Sequence, residues 1–139
     1  MKKVQNKIKF GTKAETLERL CGRLKMSIVD ELIKFSVEEW EKDKTKILEK
    51  ITSDFSGKKV IIRSSAFSED CFSQSNAGHF TSIGNVPTDY KKLTSAIFAV
   101  IKKYDDNPKN QVLVQEHISQ VDISGVAFSR DISNLSPYI

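Results

Sequence analysis

The stretch Val60-Ile-Ile-Arg-Ser-Ser-Ala-Phe-Ser-Glu-Asp70 decides how this chain is read. Three β-branched aliphatics in succession, Val60, Ile61 and Ile62, fit a strand with little exposed surface, and Lys59–Ser64 is predicted as that strand. Arg63, followed by two serines, then places a fixed cation at the edge of a sheet. A guanidinium is always charged and offers a planar fork of donors that suits phosphate oxygens. A second reading stands beside that one, in which Arg63 pairs with a local carboxylate such as Glu69 or Asp70.

Downstream, Phe67–Gly84 is rich in Ser, Asn and Gly and has no clear period. It is expected as a long loop with a short strand near Phe80–Ile83, and loops of this length in compact domains are usually functional. Gly78 permits close approach of backbone to a phosphate, and Thr81 and Ser82 add hydroxyls; a plain turn explains the same residues. The loop is not a P-loop, since it lacks GxxxxGK[ST]. Thr88 or Asp89 is the expected cap of a helix with Tyr90, Leu93, Ile97, Val100, Ile101 and Tyr104 facing inward, stopped by Asp105-Asp-Asn-Pro108. Gln111–Ile118 and Ile123–Ser129 are read as two strands joined by a short turn. Gln115 and Glu116 close the apolar run Val112-Leu-Val, where they could hydrogen-bond an adenine edge or mark a strand reaching the surface.

Upstream, Gly11-Thr12-Lys13 enters a helix predicted over Ala14–Leu24, with Thr12 as cap. A turn of small residues at a helix N-terminus directs N–H groups and a positive dipole at an anion, and Lys13 adds a charge there; an ordinary solvated lysine fits as well. Met26–Phe35 is read as a strand with a turn. Ser36-Val-Glu-Glu39 fits a capping box, and the helix after it sets Trp40, Ile47, Leu48, Ile51 and Phe55 on roughly one face until Ser56-Gly57. The order of elements predicts an α+β fold, a mostly antiparallel sheet covered by helices, in one domain.

The bulk numbers agree with a packed domain. The chain has 139 residues, of which 39% are hydrophobic and 29% charged, which is globular rather than disordered composition. The net charge of +4 is modest. Solvated lysines on helix faces account for it; attraction to ATP or weak nucleic-acid binding also fit. Two isolated cysteines, Cys21 and Cys71, make neither a disulfide framework nor a zinc site, and a reduced cytoplasmic setting is expected. The basic opening run has no apolar segment after it, so no signal peptide and no membrane span are expected. His79 and His117 lack companion ligands, and no metal site is expected.

As a set, these motifs resemble a known family. Val60-Ile-Ile-Arg-Ser-Ser-Ala66, Ser68-Glu-Asp70, Asn76-Ala-Gly78-His-Phe80, Val112-Leu-Val-Gln115 and Ser124-Gly-Val-Ala-Phe-Ser-Arg130 occur in the order found in the N-terminal nucleotide-binding domain of the phosphoenolpyruvate synthase and pyruvate phosphate dikinase family, an ATP-grasp fold. Gly11-Thr-Lys-Ala14 looks like that family's Gly-Gly-Lys turn. The resemblance implies that Lys13 and Arg63 contact ATP phosphates, that Gly78 and the Ser82 hydroxyl lie in the loop over the triphosphate, and that Gln115, with backbone near Glu116, lines the adenine pocket. It implies a phosphotransferase that moves a phosphoryl group from ATP to a histidine on a mobile domain and then to a small acceptor such as pyruvate. Positioning and charge neutralisation do most of the work in such transfers.

Two departures from the family pattern matter. Thr12 stands where the family has a second Gly. The acidic residues that hold Mg2+ in the family, with its phosphohistidine and acceptor domains, are expected beyond Ile139, so residues 1–139 are read as a partial nucleotide-binding domain without catalytic residues, inactive alone and binding ATP weakly or not at all. Its exposed sheet edge favours self-association. Three alternatives stay open: an ATP-grasp kinase of another acceptor, an amide or an antibiotic; a basic nucleic-acid-binding module; and a non-enzymatic interaction protein. No membrane partner is expected.

Overall fold

The computed structural model describes residues 11–67 and 81–126, together with 131, 133, 134, 136 and 137. Its elements run α1 (Lys13–Leu20), β1 (Leu32–Ser36), α2 (Val37–Lys42), α3 (Lys44–Asp54), β2 (Lys59–Ser65), β3 (Ser82–Pro87), α4 (Tyr90–Ile101) and β4 (Gln111–Glu116). The four strands form one sheet in the order β1-β4-β2-β3, and every neighbouring pair is antiparallel. The α+β reading therefore holds, with a four-stranded antiparallel sheet among the described residues. None of the described helices is long and apolar enough to cross a membrane.

Strand alternation sorts the side chains onto two faces. Val60 and Ile62 of β2, Val112 and Val114 of β4, Ile33 and Phe35 of β1 and Val86 of β3 are buried on one face. Trp40, Leu48, Ile51 and Phe55 from α2 and α3 cover them, together with Leu93, Ile97 and Val100 from α4. Phe35 and Trp40 stack with ring centroids 5.8 Å apart. Each aliphatic sealed in this layer stabilises the fold by about 1.5–3 kcal/mol relative to an exposed one.

The single helix expected after Ser36 is two helices. Asp43 leaves the helical region at φ −152°, ψ 74°, and its carboxylate accepts the Lys46 N–H, starting α3 afresh. The Ser36 capping box is formed as expected, with Glu39 N–H donating to Ser36 Oγ and Ser36 N–H to the Glu39 carboxylate. Gly57, at φ +73°, ends the helix where Ser56-Gly57 was expected to.

Other boundaries move. α1 stops at Leu20 because Gly22, at φ +69°, turns the chain, and Leu24 lies beyond it, 40% exposed. Met26 and Ile28 are almost wholly exposed, and the strand expected over Met26–Phe35 begins only at Leu32. The short strand expected near Phe80–Ile83 is Ser82–Pro87. The strand expected over Ile123–Ser129 is absent from its described part: residues 123–126 carry no regular secondary structure and are exposed, and 127–129 lie outside the described residues. Arg63 is not at a sheet edge, because β2 is flanked by β4 and β3.

Candidate functional site

The second face of the sheet is covered only in part. Cross-strand partners share a face, so Lys34, Leu113, Arg63 and Ser82 form one row across all four strands. Leu32, Gln115 and Ile61 form the next row, and Ser36, Gln111 and Ser65 the row on the other side. Three of the expected site residues, Arg63, Ser82 and Gln115, thus lie on one face within two adjacent rows. Leu113 is fully buried in the middle of it, and Arg63 is half-buried beside it. Arg63 Nε is shut off from solvent and has no hydrogen-bond partner among the described residues. The alternative partners Glu69 and Asp70 lie outside the described residues, as do Gly78 and His79.

α1 covers the Ser65–Gln111 end of this face. Thr12 Oγ1 donates to Gln111 Oε1 at 2.7 Å, Gln111 Nε2 donates to Glu15 Oε1 at 3.2 Å, and Ala14 N–H donates to Ser65 Oγ at 2.9 Å. These bonds explain why Ala14 has no exposed surface. They also revise the role of the Gly11-Thr-Lys turn. Thr12 N–H goes to Glu15 Oε2 and Glu15 N–H to Thr12 Oγ1, a closed capping box. With Ala14 N–H held by Ser65, three backbone donors that could have met an anion are already committed. What α1 brings to the face is its dipole and Lys13 at its first position. A Cβ on Gly11 would lie 2.1 Å from Glu15 Oε2, so glycine there makes room for the capping carboxylate.

The register between β2 and β3 shifts between Val60 and Ile62, leaving Gly84 and Asn85 in an irregular turn of the strand, with Asn85 at φ 61°. The His117 ring lies against Gly84, where a Cβ would come within 3.0 Å of His117 Cε1. By alternation from Gln115, His117 stands on the same face as Arg63. Lys34 and His117 were not singled out for this face from sequence. The period-two run Gln111, Leu113, Gln115, His117 carried the signal for His117; for Lys34, only the pairing of β1 with β4 carries it.

Glu116 faces the other way. Its carboxylate pairs with Lys58 Nζ at 2.5 Å, and that hydrogen bond, with the carboxylate's charge, raises the Lys58 pKa above its ordinary value. The Glu116 side chain is therefore turned from the face that holds Gln115. Its backbone is another matter. His117 N–H bonds the Lys59 carbonyl at 2.8 Å, which turns odd-numbered β4 residues toward β2 and even-numbered ones toward β1. The β1 ladder stops at Leu32 opposite Gln115. The N–H and C=O of Glu116 accordingly point to the β1 side, at the end of that ladder.

Among the described residues, no group of three or more His, Cys, Asp or Glu is placed to hold a metal ion. No protein-family model, no curated protein and no solved structure matches the chain.

Proposed function

We propose that this chain carries the ATP-gripping portion of an ATP-grasp nucleotide-binding domain in a phosphotransferase similar to phosphoenolpyruvate synthase. One observation carries the reading: Arg63, Ser82 and Gln115 share a face that helices leave partly open, and the buried Arg63 Nε there has no partner among the described residues. A buried guanidinium nitrogen without a partner is costly, and turning the side chain outward to a phosphate oxygen would satisfy it. In this reading Arg63 and Lys13 neutralise the triphosphate, the Ser82 hydroxyl donates to it, and Gly78 belongs to the loop over it. Gln115 and the backbone N–H and C=O of Glu116, at the end of the β1 ladder, offer the paired donor and acceptor that an adenine edge requires.

The phosphoryl group would pass through a phosphohistidine on another domain to a small acceptor, such as pyruvate, an amide or an antibiotic. Mg2+ accompanies ATP in such enzymes. The described residues do not fit a metal centre, and no step is assigned to the ion here.

The test is calorimetric titration of ATP into the protein, parent against Arg63→Ala, with turnover measured on the full gene product. The expected result is loss of binding and turnover in the variant. An Arg63→Ala protein that binds ATP and turns over like its parent removes the role given to Arg63, and the reading with it.

A further inference from the structure

Among the described residues, the two edges of the sheet are unlike. β3 ends it on one side with a shifted register, Asn85 at positive φ and Pro87, features that discourage another strand from pairing. β1 ends it on the other side with none of these. Its pairing fixes which backbone groups are left over. Val37 N–H bonds the Asn110 carbonyl at 2.9 Å. Antiparallel alternation then turns Phe35 and Ile33 toward β4, and Ser36, Lys34 and Leu32 outward. Ser36 N–H is taken by the Glu39 carboxylate at 2.7 Å. The N–H and C=O of Leu32 and Lys34 have no backbone partner among the described residues.

This edge opens into a cleft whose other wall comes from α2 and α3. Lys42, Lys46 and Lys50, four residues apart, line that wall with Ile47. The cleft's carboxylates are committed elsewhere: Glu18 to Lys34 at 3.0 Å, Glu39 to the Ser36 N–H, Asp43 to the Lys46 N–H. Lys50 pairs with Asp54, whereas the Lys42 and Lys46 ammonium groups have no ion-pair partner among the described residues.

The geometry points to the β1 edge as a strand-addition site for an extended acidic peptide of a partner protein. The guest's main chain bonds to Leu32 and Lys34, and the alternate side chains facing the helices meet Ile47 and the lysines, so acidic residues there are selected. Glu39 closes one end of the site at Ser36. β1 has five residues, so a guest strand of about the same length fills the edge. The site uses neither Arg63 nor Gln115 and stands independently of ATP binding.

The probe is a fluorescein-labelled eight-residue peptide of alternating Val and Glu, titrated with the full chain by fluorescence anisotropy. Saturable binding is expected, weakened about tenfold or more by Lys42→Glu with Lys46→Glu. Lys34→Pro removes the outward N–H without breaking a bond to β4, and is expected to abolish binding. Lys34→Thr combined with Glu18→Gln keeps that N–H and removes the ion pair as a whole, and is expected to bind within about threefold of the parent. Far-UV circular dichroism checks that each variant folds. A peptide methylated on alternate backbone nitrogens is expected not to bind, which tests the main-chain bonds without altering the protein. The proposal is overturned by absence of saturable binding to the parent, by equal binding of the methylated peptide, or by equal losses in both Lys34 variants. Single-stranded polyuridylate binding as tightly through the same lysines, indifferent to Lys34→Pro, would show a bare charge patch and would also overturn it.

Discussion

With no partner among the described residues, the buried Arg63 Nε is read as a stability cost carried inside a strand. An unsatisfied buried donor is worth about 1–3 kcal/mol of lost stability, and Met fills much of the volume of the Arg stem without the polar atom. Arg63→Met is therefore expected to raise the free energy of urea unfolding by up to that amount while weakening ATP binding by about tenfold or more. A variant that is less stable than the parent means that Arg63 has a satisfying contact in the fold. Arg63→Lys is expected to lie between, because an ammonium keeps the charge and loses the fork. Lys58 gives the pH-dependent case. Glu116 raises its folded pKa, so the pair's contribution is present at neutral pH and up to the unfolded value, about 10.5, and is lost as pH rises through the folded value. Thermal scans should show no loss from this pair at neutral pH and an alkaline decline that Glu116→Gln removes.

At the scale of elements, α1 stands on its capping box and on three bonds to the sheet. Gly11→Ala drives a Cβ into the Glu15 carboxylate and should break the box, at about 0.5–2 kcal/mol by urea unfolding. Adding Glu15→Ala to Gly11→Ala should cost less than the sum of the two single changes, since the clashing atom is then gone and only the Gln111 and Arg19 contacts of Glu15 are newly lost. The caps were the part of this chain most legible in its sequence. Thr12, Ser36 and Asp89 all act as expected because a cap needs only its own side chain and an N–H three residues on. Asp43 escaped for a related reason: a capping residue inside an apolar helical pattern is hidden by the pattern, which continues unbroken from Trp40 to Ile47. Met26 and Ile28 failed in the opposite direction, since β-propensity assigns apolar residues to a strand without knowing whether a partner strand reaches them. The site face was half legible. The residues were named, but their common face follows from a register between β2, β3 and β4, which no local signal encodes.

Across the whole molecule, the sheet separates two jobs. One face is sealed by α2, α3 and α4 and supplies stability; the other carries Arg63, Ser82 and Gln115 under partial cover from α1. Ile97 belongs wholly to the first face and is fully buried there. Ile97→Ala should cost about 2–5 kcal/mol, a large share of the roughly 5–15 kcal/mol that holds a domain together. ATP at a hundred times its dissociation constant should return about 2.7 kcal/mol by mass action if it binds the folded chain alone. Because the two perturbations act on opposite faces, they should add. The stabilisation by ATP, read from urea unfolding, is expected to be the same in Ile97→Ala as in the parent within about 0.5 kcal/mol, and to vanish in Arg63→Ala. A larger discrepancy between parent and Ile97→Ala would mean that the core face reaches the nucleotide, through the sheet or around its end. Retention of the ATP increment in Arg63→Ala would instead place the nucleotide somewhere other than the face that Arg63 occupies.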